Sequence, residues 1–149
     1  MGTVTFSDEG FVILLDTNVL IYASNPDSPF HEWACDAIAF AVATDGAVIN
    51  TVVLAELCVG DGEPEQVAER IRTWGVDILD VPAAVAAPCA EAYVKYRKRR
   101  AAQSGEVAPS MPLPDFFIGA HAQIMGWPIA TADEGRFKSC FPSVELLQP

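Results

Sequence analysis

Positive charge is scarce in this chain of 149 residues. Nine Lys and Arg face twenty Asp and Glu, a net charge of −11. Such a balance is awkward for an enzyme whose substrate is a polyanion. Long apolar runs are also missing: Asp, Glu or Gly interrupts each one well before membrane-spanning length, so no transmembrane helix is expected. The opening MGTVTFSDEG has no basic region ahead of an apolar stretch, so no secretory signal is expected and a cytoplasmic location is. The four cysteines, Cys35, Cys58, Cys89 and Cys140, show no paired spacing. They read as free thiols of a reducing compartment, with zinc or a disulfide as the lesser alternative. His31 and His121 have no partners at ligand spacing. No repeat or linker divides the chain, and its length suits one domain over 1–149 that buries roughly 70% of its unfolded surface.

What is present is a packed globule's composition, 51% hydrophobic and 19% charged. Phe11 to Leu15 is a continuous apolar run suited to a central parallel strand. Asp16 ends it, and Thr17 to Ala23 reads as a short helix. A second helix starts near Pro29, with Trp33 and Ile38 inward, and ends at Gly46. Ala47 to Asn50 is a strand, with Thr51 as N-cap of a helix that Gly60 closes. Glu63 to Trp74 is amphipathic, and Val76 to Val81 is a third strand. The helix from about Pro82 to Ala102 must kink or split at Pro88. Ser104 to Pro112 is a proline-marked loop, and Pro114 opens an apolar helix through Met125. Ile129 to Thr131, the helical turn Glu134 to Lys138, and Val144 to Leu147 complete the pattern. Strands alternating with helices predict an α/β sandwich with a mostly parallel sheet of about five strands.

Four carboxylates stand where that sheet would gather them: Asp16, Glu56, Asp115 and Asp133. A parallel sheet brings the carboxyl ends of its strands to one edge. Singly, each has an ordinary role. Asp16 and Asp133 suit turns, and Asp115 suits the first turn of a helix. Glu56 is harder to explain, since its neighbours in VVLAELCVG are apolar and a buried glutamate without a partner is costly. Gathered, the four repel. At an effective dielectric of about 20, two unit charges about 5 Å apart cost about 3 kcal/mol. Hard divalent cations offset such a cluster and act mainly on phosphates, which points to a metal-dependent phosphodiesterase. Five of the nine cations fall together, at Lys95, Arg97, Lys98, Arg99 and Arg100. This segment either holds substrate phosphates or is a solvated helix end that complements its dipole.

The segments LLDTNVLIYA, TVVLAELCVG, LPDFFIGAHA and ATADEGRFKSCFP resemble, in order and spacing, the motifs of PIN-domain ribonucleases, particularly the VapC-type toxins of bacterial toxin–antitoxin pairs. The resemblance runs from about Phe11 to Leu147. It implies a PIN-like three-layer sandwich in which Asp16, Glu56, Asp115 and Asp133 are catalytic and bind Mg²⁺ or Mn²⁺. Thr17, Asn18, Thr51 and Thr131 would be polar companions of carboxylates, water or substrate, and single-stranded RNA the substrate. It also implies an antitoxin partner and a homodimer. Two departures are Pro88, where relatives have a plain helix, and the long proline-rich loop before Asp115. Three other readings differ in kind. A haloacid-dehalogenase-like phosphatase wants a second Asp where Asn18 stands. A processing nuclease would lack an antitoxin, and a non-catalytic binding module would use the acidic edge for docking.

Overall fold

The computed structural model describes residues 11–105, 109 and 111–149. Its centre is a five-stranded sheet, parallel throughout: β1 (Val12–Leu15), β2 (Gly46–Asn50), β3 (Val76–Leu79), β4 (Ile129–Ala130) and β5 (Leu146–Leu147). The spatial order is β3-β2-β1-β4-β5. The chain builds outward from β1 to β3, then returns to lay β4 on β1's other side. Between β1 and β4 the direction of winding reverses, and a crevice opens there beyond the strands' carboxyl ends. Ile13, Leu14 and Leu15 have no exposed surface, as expected of a strand covered on both faces.

Among the described residues, seven helices surround the sheet: α1 (Thr17–Ala23), α2 (His31–Ala43), α3 (Thr51–Val59), α4 (Pro64–Thr73), α5 (Ala86–Ser104), α6 (Pro114–Met125) and α7 (Gly135–Cys140). Helix α6 is the most central. It buries Phe116, Ile118, Gly119, Ala120, His121 and Ala122, which is why its sequence is apolar nearly all round. Gly119 is required there by close approach: a Cβ on it would lie 2.2 Å from Cδ2 of the buried Phe141 ring.

The predicted bounds of α1 and α6 hold, and several local expectations need correction. Asn50, not Thr51, caps α3, its side chain accepting the Val53 N–H at 3.0 Å. Thr51 is already helical and donates to the Leu79 carbonyl at 3.3 Å. The helix predicted from Pro82 is split, at Val85 and Ala86 rather than at Pro88 itself. A 3₁₀ turn (Ala83–Val85) comes first, and Pro88 falls in the first turn of α5, where an N–H would have no intrahelical partner. Helix α2 stops at Ala43, where the Thr44 hydroxyl lies 2.8 Å from the Ala41 carbonyl and 2.9 Å from that of Phe11. Gly46 opens β2 at φ 152° instead of ending the helix. Strands β3 and β5 are shorter than predicted. Trp33 is half-buried against the core. Of the four free cysteines, only Cys89 is buried. Residues 106–108 and 110 of the proline-marked loop, and the first ten residues, lie outside the described residues.

Candidate active site

Asp16 is the anchor of the crevice. As β1 ends, its backbone stays extended and its side chain caps α1, Oδ1 accepting the Thr17 N–H at 2.8 Å. Oδ2 accepts from the Thr131 hydroxyl at 2.8 Å and from Asn18 Nδ2 at 3.2 Å. Thr131 follows β4 and is fully buried, so the carboxylate is held from both strands that flank the crevice. Only 6% of Asp16 is exposed. Burial pushes its carboxyl up from 3.8 to about 6; the bonds from Thr131 and Thr17 work against this, and the charges of Asp115 and Glu56 add to it.

The other three acids arrive on different elements. Glu56 comes from α3, half-buried, its Oε1 accepting the Thr17 hydroxyl at 2.7 Å. Asp115 lies in the first turn of α6, where the helix dipole favours its charge. Its Oδ2 meets Arg136 Nη1 at 2.8 Å. Asp133 is exposed, its N–H bonded to Thr131 Oγ1 at 3.0 Å. All four line one open cavity of about 230 Å³, together with Thr17, Asn18 and Arg136. Ile21 and Phe137 supply the apolar part of its wall.

The polar companions divide. Thr17 and Asn18 line the cavity, and Thr131 stands behind Asp16 and steadies it. Asn18 also accepts the Ala132 N–H at 3.2 Å, which ties α1 to the segment carrying Asp133. Thr51 is exposed, bonded to the end of β3, and does not line the cavity. Neither do Lys95, Arg97, Lys98 or Arg100. On α5, Arg97 lies over the Tyr93 ring at 6.0 Å, and Arg100 donates to the Tyr96 hydroxyl at 2.9 Å. Arg136 was missed by sequence reasoning. Its one signal is position, three residues after Asp133 on the helical turn that begins there. Asn50 was missed as well. It is fully buried, caps the helix that carries Glu56, and meets His121 Nδ1 at 3.2 Å. Burial holds His121 below the ordinary imidazole range, so it is a neutral partner inside the core.

Oxygen-only donors of this kind suit Mg²⁺ or Mn²⁺. Among the described residues no three carboxylate, imidazole or thiolate groups converge closely enough to ligate one ion as they stand. Two of the four carboxylates are engaged by other groups, Asp115 by Arg136 and Glu56 by Thr17. The residues nevertheless fit a hydrated ion. Mg²⁺ keeps several waters and takes only one or two carboxylates directly, and the buried, repelled Asp16 gains most from a neighbouring cation.

The profile of the PIN domain family matches residues 13–140, from the first strand to the last helix. The chain belongs to the PIN domain family. Solved structures agree on the fold. VapBC2 from Rickettsia felis, bound to a DNA fragment from its promoter, superposes on this PIN domain with a TM-score of 0.60 at 22% identity, covering 92% of this chain and 98% of that one. FitAcB from Neisseria gonorrhoeae gives 0.61 at 24% identity, covering 92% and 97%. VapC20 from Mycobacterium tuberculosis, a toxin that cleaves the sarcin-ricin loop, gives 0.60 at 18% identity, covering 92% and 99%. Comparison with curated protein sequences finds no match. Among the described residues no helix of this PIN domain is long and apolar enough to cross a membrane.

Proposed function

We propose that this PIN domain, one unit over residues 1–149, is a divalent-metal-dependent endoribonuclease and the toxin of a toxin–antitoxin pair. The observation that carries the reading is Asp16. It is a buried carboxylate at the crevice between β1 and β4, raised in pKa by its surroundings and facing Glu56 and Asp115. Such an arrangement is costly without a cation. When bound, Mg²⁺ or Mn²⁺ supplies an acidified water and offsets charge on the leaving oxygen of a phosphodiester. Asp16, Glu56, Asp115 and Asp133 are the residues that hold it. Thr131, Thr17 and Asn18 fix the orientation of Asp16, and Thr17 does the same for Glu56. The cavity is open yet recessed, which suits a single strand whose backbone can bend into it better than a stiff duplex.

The relatives support an antitoxin partner. Similar structures include toxin–antitoxin complexes, one of them from Klebsiella pneumoniae. A cytoplasmic nuclease with an open acidic site needs restraint, and a basic antitoxin tail that places an Arg or Lys among Asp16, Glu56 and Asp115 would provide it. We propose further that the active toxin is a homodimer, as the resemblance to VapC-type toxins implies. The nuclease reading is tested by incubating purified protein with single-stranded RNA in Mg²⁺, in Mn²⁺ and in EDTA, beside Asp115→Asn. Cleavage that requires metal and is lost in the variant is expected. Cleavage unaffected by EDTA or by the substitution overturns the reading. The toxin reading stands separately: it fails if no adjacent small gene product co-purifies and abolishes the cleavage.

A further inference from the structure

A site lined by four carboxylates repels the phosphates it would have to accept. Among the described residues lining the cavity, Arg136 is the one cation. Building on the ribonuclease reading, we propose that Arg136 is the residue that grips the substrate's phosphate, and that its pairing with Asp115 is the resting position from which it is released.

The geometry supports both halves. The guanidinium is held by a single ion pair, Nη1 to Asp115 Oδ2 at 2.8 Å, and 39% of the side chain remains exposed at the cavity wall. Its carbon lies 5.7 Å from the centre of the Tyr96 ring, and the Tyr96 hydroxyl is a second hydrogen-bond partner of the guanidinium, so a neutral side chain steadies the group. Guanidinium has five N–H donors in a fixed fork. Asp115 and the Tyr96 hydroxyl engage only part of that fork, and a phosphate's paired oxygens match the donors left free. Asp115 is also a proposed metal ligand. A cation on that carboxylate weakens its hold on Arg136, so metal and RNA binding become positively coupled. The basic segment of α5 cannot serve the same role at the reacting phosphate, because none of its side chains lines the cavity.

The test is fluorescence anisotropy of a labelled single-stranded RNA oligonucleotide at several salt concentrations, in EDTA and in Ca²⁺. Calcium takes the same oxygen ligands, and gels run alongside check that the RNA stays intact. Arg136→Gln should weaken binding in Ca²⁺ about tenfold or more, the effect of losing a charged hydrogen-bonded contact. It should also reduce the salt slope by about 0.7, the value for one phosphate contact on a single strand. Arg136→Lys should keep the slope and recover only part of the affinity. In EDTA the gap between wild type and Arg136→Gln should narrow, because Asp115 then retains the guanidinium. Equal affinity and slope for wild type and Arg136→Gln in Ca²⁺ would make Arg136 only a counter-ion for Asp115. If thermal melts show that Arg136→Gln has unfolded, Arg136→Lys decides, and wild-type affinity in that variant overturns the proposal. Wild-type protein that neither binds nor cleaves RNA defeats the ribonuclease reading itself. Cleavage with an unchanged KM in Arg136→Gln defeats only the role given to Arg136.

Discussion

Replacing Asp16 by Asn should stabilise the metal-free protein while removing its activity. The carboxyl is raised from 3.8 to about 6 on folding, so the folded state carries the charged form at a cost. A shift of that size corresponds to about 3 kcal/mol. Because the folded pKa is the higher one, the cost is full above about 6 and fades as pH falls toward 3.8. Asparagine has no charge to desolvate and keeps one oxygen for the Thr17 N–H. It loses the charged acceptor at Oδ2, but the Thr131 hydroxyl already has the Asp133 carbonyl within 2.9 Å as an alternative. Allowing about 1–2 kcal/mol for that loss, Asp16→Asn should gain about 1–2 kcal/mol at pH 7. For a domain of this size that is a rise in Tm of about 2–8 °C. Thermal melts in EDTA at pH 7 and pH 4.5 read it directly: the gain should be present at the first and largely gone at the second. Millimolar Mn²⁺ should raise the wild type and not the variant, narrowing or reversing the order. A variant less stable than wild type at pH 7 in EDTA, or a gain independent of pH, would refute the reasoning.

Two further substitutions probe the frame that holds the site. Gly119→Ala should destabilise by about 2 kcal/mol despite the better helix propensity of Ala, because the added methyl enters the Phe141 ring. Chemical denaturation measures this, and Phe141→Leu added to the same chain should restore part of the loss. Asn50→Ala should cost about 2 kcal/mol, combining a lost N-cap with a buried His121 left without its partner. Cleavage should also fall, since α3 carries Glu56, and a variant with wild-type stability and rate would contradict that coupling.

Much of this arrangement was legible in the sequence. The continuous apolar run before Asp16 marked a central parallel strand, and Pro114 marked the opening of α6, which the structure closes with Gly126 as a left-handed cap at φ 69°. The four acids were legible because strand ends converge in a parallel sheet, and the cavity does bring them together. What could not be read depended on choices between adjacent residues or on contacts across the sheet. Asn50 and Thr51 are both good caps, and the register of β2 with β3, which pairs Asn50 with Leu79 and brings the Thr51 hydroxyl to the Leu79 carbonyl, decides between them. Pro88 is disruptive or harmless according to where the helix begins, and a 3₁₀ turn moved that start. Local charge density drew attention to the α5 segment. A single arginine in α7 lies against Asp115, 21 residues away in sequence, and no local pattern records that pairing.

The central claim is that these four carboxylates hold a divalent cation, and diffraction tests it most directly. A crystal equilibrated with millimolar Mn²⁺ should show an anomalous scattering peak in the cavity lined by Asp16, Glu56, Asp115 and Asp133, with carboxylate oxygens and water around it. The same crystal form of Asp16→Asn should show the peak weakened or absent. An empty cavity in the wild type, or Mn²⁺ bound only by other residues, would contradict the account.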